Sequence, residues 1–190
     1  MSLLKKIIKL ILTRLFVRET VILFMMDQVK EIVSPAVIKK ATYENINDIL
    51  NFQEDKYLST FKGFLEKGDI GYLGYLNSQC IHRTWVVTQE GTIIYMHPLL
   101  KRKLNKNEVY IHYCETSPSA RGNNVYSHVI SEIAKEYSNK KVLICVNRKN
   151  IPSIRGVIKA GYKPIESITV IALLGCVVNI KKDIKGVDLF

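Results

Sequence analysis

Tyr110-Ile-His-Tyr-Cys-Glu-Thr-Ser-Pro-Ser-Ala-Arg-Gly-Asn-Asn-Val-Tyr126 is the stretch that decides how this chain folds. It reads as an apolar-rich strand, a proline-marked turn, an Arg-Gly loop and the opening of a helix. That order aims backbone N–H groups and the positive end of a helix dipole at one small volume. A phosphate or pyrophosphate suits such a volume. Further along, Asn150-Ile-Pro-Ser153 opens a short helical run that closes on Gly161-Tyr162.

Around these two motifs the elements alternate. Strand patterns cover 70–76, 80–88, 92–97 and 109–115, with Asn77-Ser78 and Glu90-Gly91 marking turns. The Lys/Arg-rich stretch 100–107 reads as a solvated loop. Residues 124–137 have helical period, with Val125, Val129 and Ile133 on one face. A buried strand at 141–146, the helix at 150–160 and two strand-like runs, 165–174 and 176–180, follow. Upstream, Ser34-Pro35 marks a break. Residues 37–50 then pass from strand period to helix period with Thr42 as a candidate N-cap, and 54–67 form a second amphipathic helix ending at Gly68.

Residues 1–18 form a separate block. On a helical wheel Ser2, Lys5, Lys6, Lys9 and Thr13 share a polar face, and most of the remaining arc is Leu, Ile, Val and Phe. The charges are too frequent for a spanning helix, and no small-residue cleavage site follows. A helix packed on the domain or on a second copy is expected, or one lying on a membrane surface. The apolar run 20–26 reads as an added strand. The expected division is a helix-plus-strand extension over 1–34 and a main domain over 35–190 that carries both motifs.

With 190 residues, 47% of them hydrophobic, the chain can bury a full core. Its 28 basic against 17 acidic residues give a net charge of +11. A polyanionic cofactor, an anionic membrane or nucleic acid would each suit that bias. Nucleic acid is not expected, since no Arg-rich stripe or recognised binding motif is present. The four cysteines are widely spaced in apolar contexts, as buried free thiols are, which points to a reducing cytoplasm. Cys80-x-His82 and His112-x-Cys114 could supply zinc ligands from neighbouring strands. A straight strand holds such pairs rather far apart, and no metal is expected.

Taken together, the two motifs resemble the acyl-CoA-binding core of the GNAT acetyltransferases. In that family an Arg/Gln-x-x-Gly-x-Gly/Ala loop follows a strand, and an Asn-x-x-Ser/Ala helix ending in Gly-Phe or Gly-Tyr comes later. The resemblance spans residues 36–180 and implies an α/β fold with a mixed, splayed central sheet flanked by helices. It also implies acetyl-CoA as co-substrate and direct attack by a small amine, an amino sugar or its nucleotide-linked form among the candidates. A non-catalytic module of the same fold that binds an acyl-CoA or a partner is the alternative.

The resemblance assigns the cofactor cradle to Arg121, Gly122, Asn123, Asn124, Val125 and Tyr126. It puts an oxyanion donor at the backbone of Thr116 or Ser117, and Asn150 and Ser153 on the pantetheine arm. Glu115 and His112 are the candidate bases. They lie on opposite faces of an ideal strand unless a bulge intervenes. His82, Arg83 and Trp85 fall where the acceptor lies in the family, although Trp85 in the core fits the pattern equally well. The chain departs from the family in three places. The two loop glycines become Asn124 and Tyr126, and the tyrosine acid becomes Val157. Asn tolerates left-handed backbone. Tyr126 either crowds the cradle or turns away, and another hydroxyl (Tyr126, Tyr162 or Ser153) would have to replace the missing acid.

Overall fold

The computed structural model describes residues 16–173 and 176–184. The N-terminal helix expected over 1–18 lies mostly outside them. Its last three residues do not continue a helix: they open β1 (Phe16–Met26), an 11-residue strand. Strand partners on both sides outweigh the local helical pattern here, with Phe16 opposite Leu173 and Val21 opposite Asn147.

The remaining strands are β2 (Val37–Lys40), β3 (Ile70–Leu76), β4 (Gln79–Val87), β5 (Ile93–His97), β6 (Leu100–Lys103), β7 (Glu108–Thr116), β8 (Lys141–Asn147), β9 (Tyr162–Leu173) and β10 (Cys176–Asp183). The helices are α1 (Leu58–Glu66), α2 (Val125–Glu136) and α3 (Ile151–Lys159). Eight strands form one sheet in the order β10-β9-β1-β8-β7-β4-β3-β2, while β5 and β6 make a separate hairpin. The strand read as part of an N-terminal extension therefore runs inside the sheet, between β8 and β9.

Two local readings are corrected. Part of the basic loop is strand, because Leu100 and Leu104 are buried beneath the hairpin while Lys101 and Lys103 face out. The turn after Thr42 leads into a 3₁₀ helix, Ile46–Asn51, whose N-cap position is Asn45 and not Thr42; the Asn45 side chain does not cap it but accepts from the Thr42 amide at 2.8 Å. Three apolar clusters hold the layers together. One lies between the sheet and α2/α3, and includes Ile22, Phe24, Ile111, Val129, Ile133 and Val157. A second sits beneath the β5–β6 hairpin. The third surrounds Trp85, Phe61 and Leu73 under α1.

The sheet opens in the middle. Parallel strands β7 and β8 pair only from Glu108/Lys141 to Ile111/Ile144, after which each runs on without the other. The divergence coincides with a bulge in β7. The register against β4 slips between Arg83/Glu115 and Trp85/His112, and Tyr113 takes a left-handed φ of 49°. A bulge bends and twists its strand, and this one turns the end of β7 away from β8. The mixed, splayed α/β architecture is thus present.

Candidate functional site

A cleft of about 630 Å³ opens where β7 and β8 part. Its walls are the end of β7 (Cys114, Glu115, Thr116), the loop and first turn of α2, and the exposed face of α3. Each wall follows from local sequence. Gly122 has φ 88°, and Asn124 sits at φ 57°, ψ 10°, the left-handed geometry that Asn accepts at modest cost. That kink lets α2 start with its N-terminus facing the cleft, and no side chain caps it. The first-turn N–H groups are orphans of the helix and carry its positive dipole end.

The loop is held from behind by an extended strap over residues 27–35. Ser34 Oγ donates to the Asn123 carbonyl at 2.9 Å, and Asn124 Nδ2 to that of Val33 at 3.4 Å. His128 Nδ1 reaches the Ile32 carbonyl at 2.8 Å, and the Ser131 hydroxyl donates to Lys30. The strap's other end rests on Gly161, whose φ of 99° brings its carbonyl to the amides of Asp27 and Gln28; a Cβ there would lie 1.8 Å from the Gln28 oxygen.

Tyr126 turns away from the cradle. Its ring packs against α3, where Gly156 leaves the space: a Cβ at that position would approach Tyr126 Cδ1 to 2.7 Å. The phenol meets Ser153 Oγ at 3.1 Å, and burial holds its pKa well above the usual tyrosine range. Asn150 caps α3, its Oδ1 accepting from the Ser153 amide at 3.2 Å. Val157 is wholly buried in the core, so that position offers no acid. Tyr162 donates to the Ile130 carbonyl inside the protein.

Of the residues singled out from sequence, the cleft gathers Glu115, Thr116, Arg121, Gly122, Asn124, Val125, Tyr126, Asn150 and Ser153. Asn123 lies outside its lining, with its side chain bonded to the Ala120 carbonyl. Ser117 is buried and spends its N–H on the Ile81 carbonyl. Because of the bulge, His112 and Glu115 both face the α1 side, yet they do not meet a common target. His112 sits beneath Phe64, 3.2 Å from Asp69 Oδ2 but without hydrogen-bond alignment. Glu115 stands at the cleft with Oε2 held 2.8 Å from Arg83.

Arg83 and Trp85 form no open acceptor surface. Trp85 is fully buried against Phe61 and Phe64. Arg83 is 6% exposed, stacked on Phe61 and bonded to Gln53, Glu115 and the Tyr113 carbonyl, so it pins the bulge. Burial lowers its pKa, and the Glu115 carboxylate opposes that shift.

His82 is also fully buried, with Nδ1 2.7 Å from Thr116 Oγ1 and Nε2 2.7 Å from Thr84 Oγ1. Burial, aided by Arg83, lowers its pKa to about 3 and keeps it neutral. Cys114 lies close by, its thiol pushed up to about 11 by burial. Among the described residues no His/Cys/Asp/Glu group could hold a metal ion.

Sequence reasoning missed Arg155 and Lys159, which add positive charge to the cleft wall. They stand four apart in α3 and share its face, a signal visible once Asn150 is taken as the cap. Lys159 Nζ donates to Asn124 Oδ1 at 2.7 Å, which ties α3 to the loop.

Solved structures share this architecture. A GNAT-family acetyltransferase from Colwellia psychrerythraea superposes with a TM-score of 0.61 at 10% identity, over 82% of this chain. The chain has the fold of the GNAT acetyltransferases. It spans 56% of that protein's length. A conserved Staphylococcus epidermidis protein of unknown function matches at 0.59 and 13% identity, over 91% of this chain and 67% of its own. The GCN5-related glucosamine N-acetyltransferase region of a fungal multi-domain β-N-acetylglucosaminidase matches at 0.60 and 13% identity, over 90% of this chain and 23% of that one. No family model and no curated protein matches the sequence.

Proposed function

We propose that the protein is an acetyl-CoA-dependent N-acetyltransferase acting on a small amine. One observation carries this reading: an uncapped helix N-terminus, reached through Gly122 and left-handed Asn124, faces a cleft at the opened sheet beside Arg121, Arg155 and Lys159. A row of N–H donors with flanking cations suits a pyrophosphate. Acetyl-CoA would supply an activated acyl thioester.

The chain's own residues would do the rest. The first turn of α2 binds phosphate through backbone amides, and Arg121 and Lys159 add charge. Asn150, already fixed as the cap of α3, presents its remaining amide atoms to an extended arm. The Thr116 backbone lies at the opened strand end, where a carbonyl oxygen developing charge would need a donor. Glu115, held at one oxygen by Arg83, is the candidate to take a proton from the incoming ammonium, directly or through water. The Tyr126–Ser153 hydroxyl pair stands in for the acid lost at Val157. Burial keeps the phenol protonated, so it would act by donating a hydrogen bond to the departing thiolate and not by surrendering its proton.

An amino sugar is the acceptor to test first, because a glucosamine N-acetyltransferase region shares the fold. The assay is release of free CoA thiol from acetyl-CoA across a panel of amino sugars and other small amines. Glu115→Gln should lower kcat by about 100-fold or more. If well-folded protein binds acetyl-CoA yet releases no thiol with any amine, the non-catalytic binding module is the correct reading.

A further inference from the structure

Among the described residues, none of the helices covers one corner of the sheet's helical face. Residues directly opposite one another on β1, β9 and β10 form the rows Phe16–Leu173–Cys176, Arg18–Ile171–Val178 and Thr20–Thr169–Ile180. Thr20 Oγ1 and Thr169 Oγ1 lie 3.0 Å apart, which fixes the third row on one face. Ile22, the next residue of that parity in β1, is buried in the cluster under α2 and α3, so this is the face the helices cover elsewhere. At the corner Phe16, Leu173, Val178 and Ile180 remain 51–58% exposed. The patch runs to the sheet edge, and β10 is exposed along its whole length.

Exposed edge strands are ordinarily protected by charge or by cover. In β10 the charges are confined to Lys181, Lys182 and Asp183, and the apolar end has none. Scattered surface apolar residues need no explanation, but a contiguous patch on an open edge does.

Charge indicates what covers it. Arg18 lies within the patch, and Lys182 follows Ile180 on the same face of β10. Residues 1–15, which lead straight into Phe16, carry Lys5, Lys6, Lys9 and Arg14 with no acidic residue. A second copy of a chain with net charge +11 would be repelled. Nucleic acid would not seat on an apolar centre. An apolar patch set among basic residues fits an anionic lipid surface.

We propose that this corner seats the protein on an anionic membrane. Phe16, Leu173, Val178 and Ile180 enter the acyl boundary, and Arg18 and Lys182, on the same face, meet headgroup phosphates. Contact of this kind needs no spanning helix, and no described helix is long and apolar enough to cross a membrane.

The test is co-sedimentation of the full chain with phosphatidylglycerol or phosphatidylcholine vesicles, beside the double variant Val178→Glu/Ile180→Glu. Wild type should bind phosphatidylglycerol about tenfold more strongly or better, and the variant should lose about tenfold in binding at unchanged Tm. Phe16→Glu, at the far end of the patch, must behave alike and serves if the double variant fails to fold. Three results would overturn the proposal. These are wild type sedimenting equally with both lipids or with neither, a folded variant binding as wild type does, and sedimentation equilibrium revealing a dimer that the substitutions dissolve.

Discussion

At the residue scale the most constrained group is His82. Both ring nitrogens face hydroxyls at 2.7 Å with no water-accessible surface; these hydroxyls can serve either protonation state, but a positive charge here would be buried without a counter-charge and beside Arg83. This makes a pH prediction with a definite sign. In the unfolded chain a histidine titrates near 6.5; here its pKa is lowered to about 3, chiefly by burial and then by Arg83. The unfolded state therefore binds more protons throughout that window. Its stabilising effect is complete above 6.5 and is lost as pH falls towards 3, at about 1.4 kcal/mol per pH unit. A urea-denaturation series across these pH values should show that slope for wild type and a flatter one for His82→Gln. Equal slopes would mean that acid unfolding runs through other groups. The chain's letters mark His82 as an unusual strand residue. They do not show that Thr84 and Thr116 close around it, because those partners depend on the register between β4 and β7.

The decisive fit at the element scale is between α2 and α3. Tyr126 in place of a glycine would obstruct the cradle if its ring lay over the loop, and Gly156 is what lets it lie between the helices. Sequence shows both residues but not their partnership, since they are thirty positions apart and meet only when the helices pack. Gly156→Ala is favoured by helix propensity, yet its methyl would enter the Tyr126 ring. Chemical denaturation should show a net loss of about 1–3 kcal/mol for the single substitution. In a Tyr126→Ala background the same change should be neutral or gain up to about 1 kcal/mol. Additive losses would mean that the glycine serves some purpose other than making room for the ring. The β7 bulge belongs to this scale as well. An alternating strand was legible up to His112; the slip at Tyr113 was not, because no Gly or Asn flags the left-handed position. That slip is why His112 and Glu115 share a side of the sheet while only Glu115 lines the cleft.

For the whole molecule, most elements were readable because strand and helix periods and turn residues agree along the chain. The cleft was readable because its walls come from two contiguous motifs. Less was readable where long-range pairing decides. The first described strand enters the sheet between β8 and β9, and nothing local announces that position. The cationic wall from α3 escaped notice for a similar reason, since Arg155 and Lys159 acquire meaning only opposite the α2 loop. The molecule that results places uncapped helix-terminal amides, a carboxylate and a phenol around one opening in the sheet.

Isothermal titration of the full chain with acetyl-CoA tests that arrangement at its root, run beside Arg121→Glu/Lys159→Glu, a pair of exposed residues on the cleft wall. One saturable site with Kd of about 1 mM or tighter is predicted for wild type. Reversing both charges should weaken binding about tenfold or more in protein that remains folded, with at most a small fall in Tm from the lost Lys159–Asn124 bond. No binding by folded wild type, or binding indifferent to the reversal, would contradict a CoA cradle at this cleft.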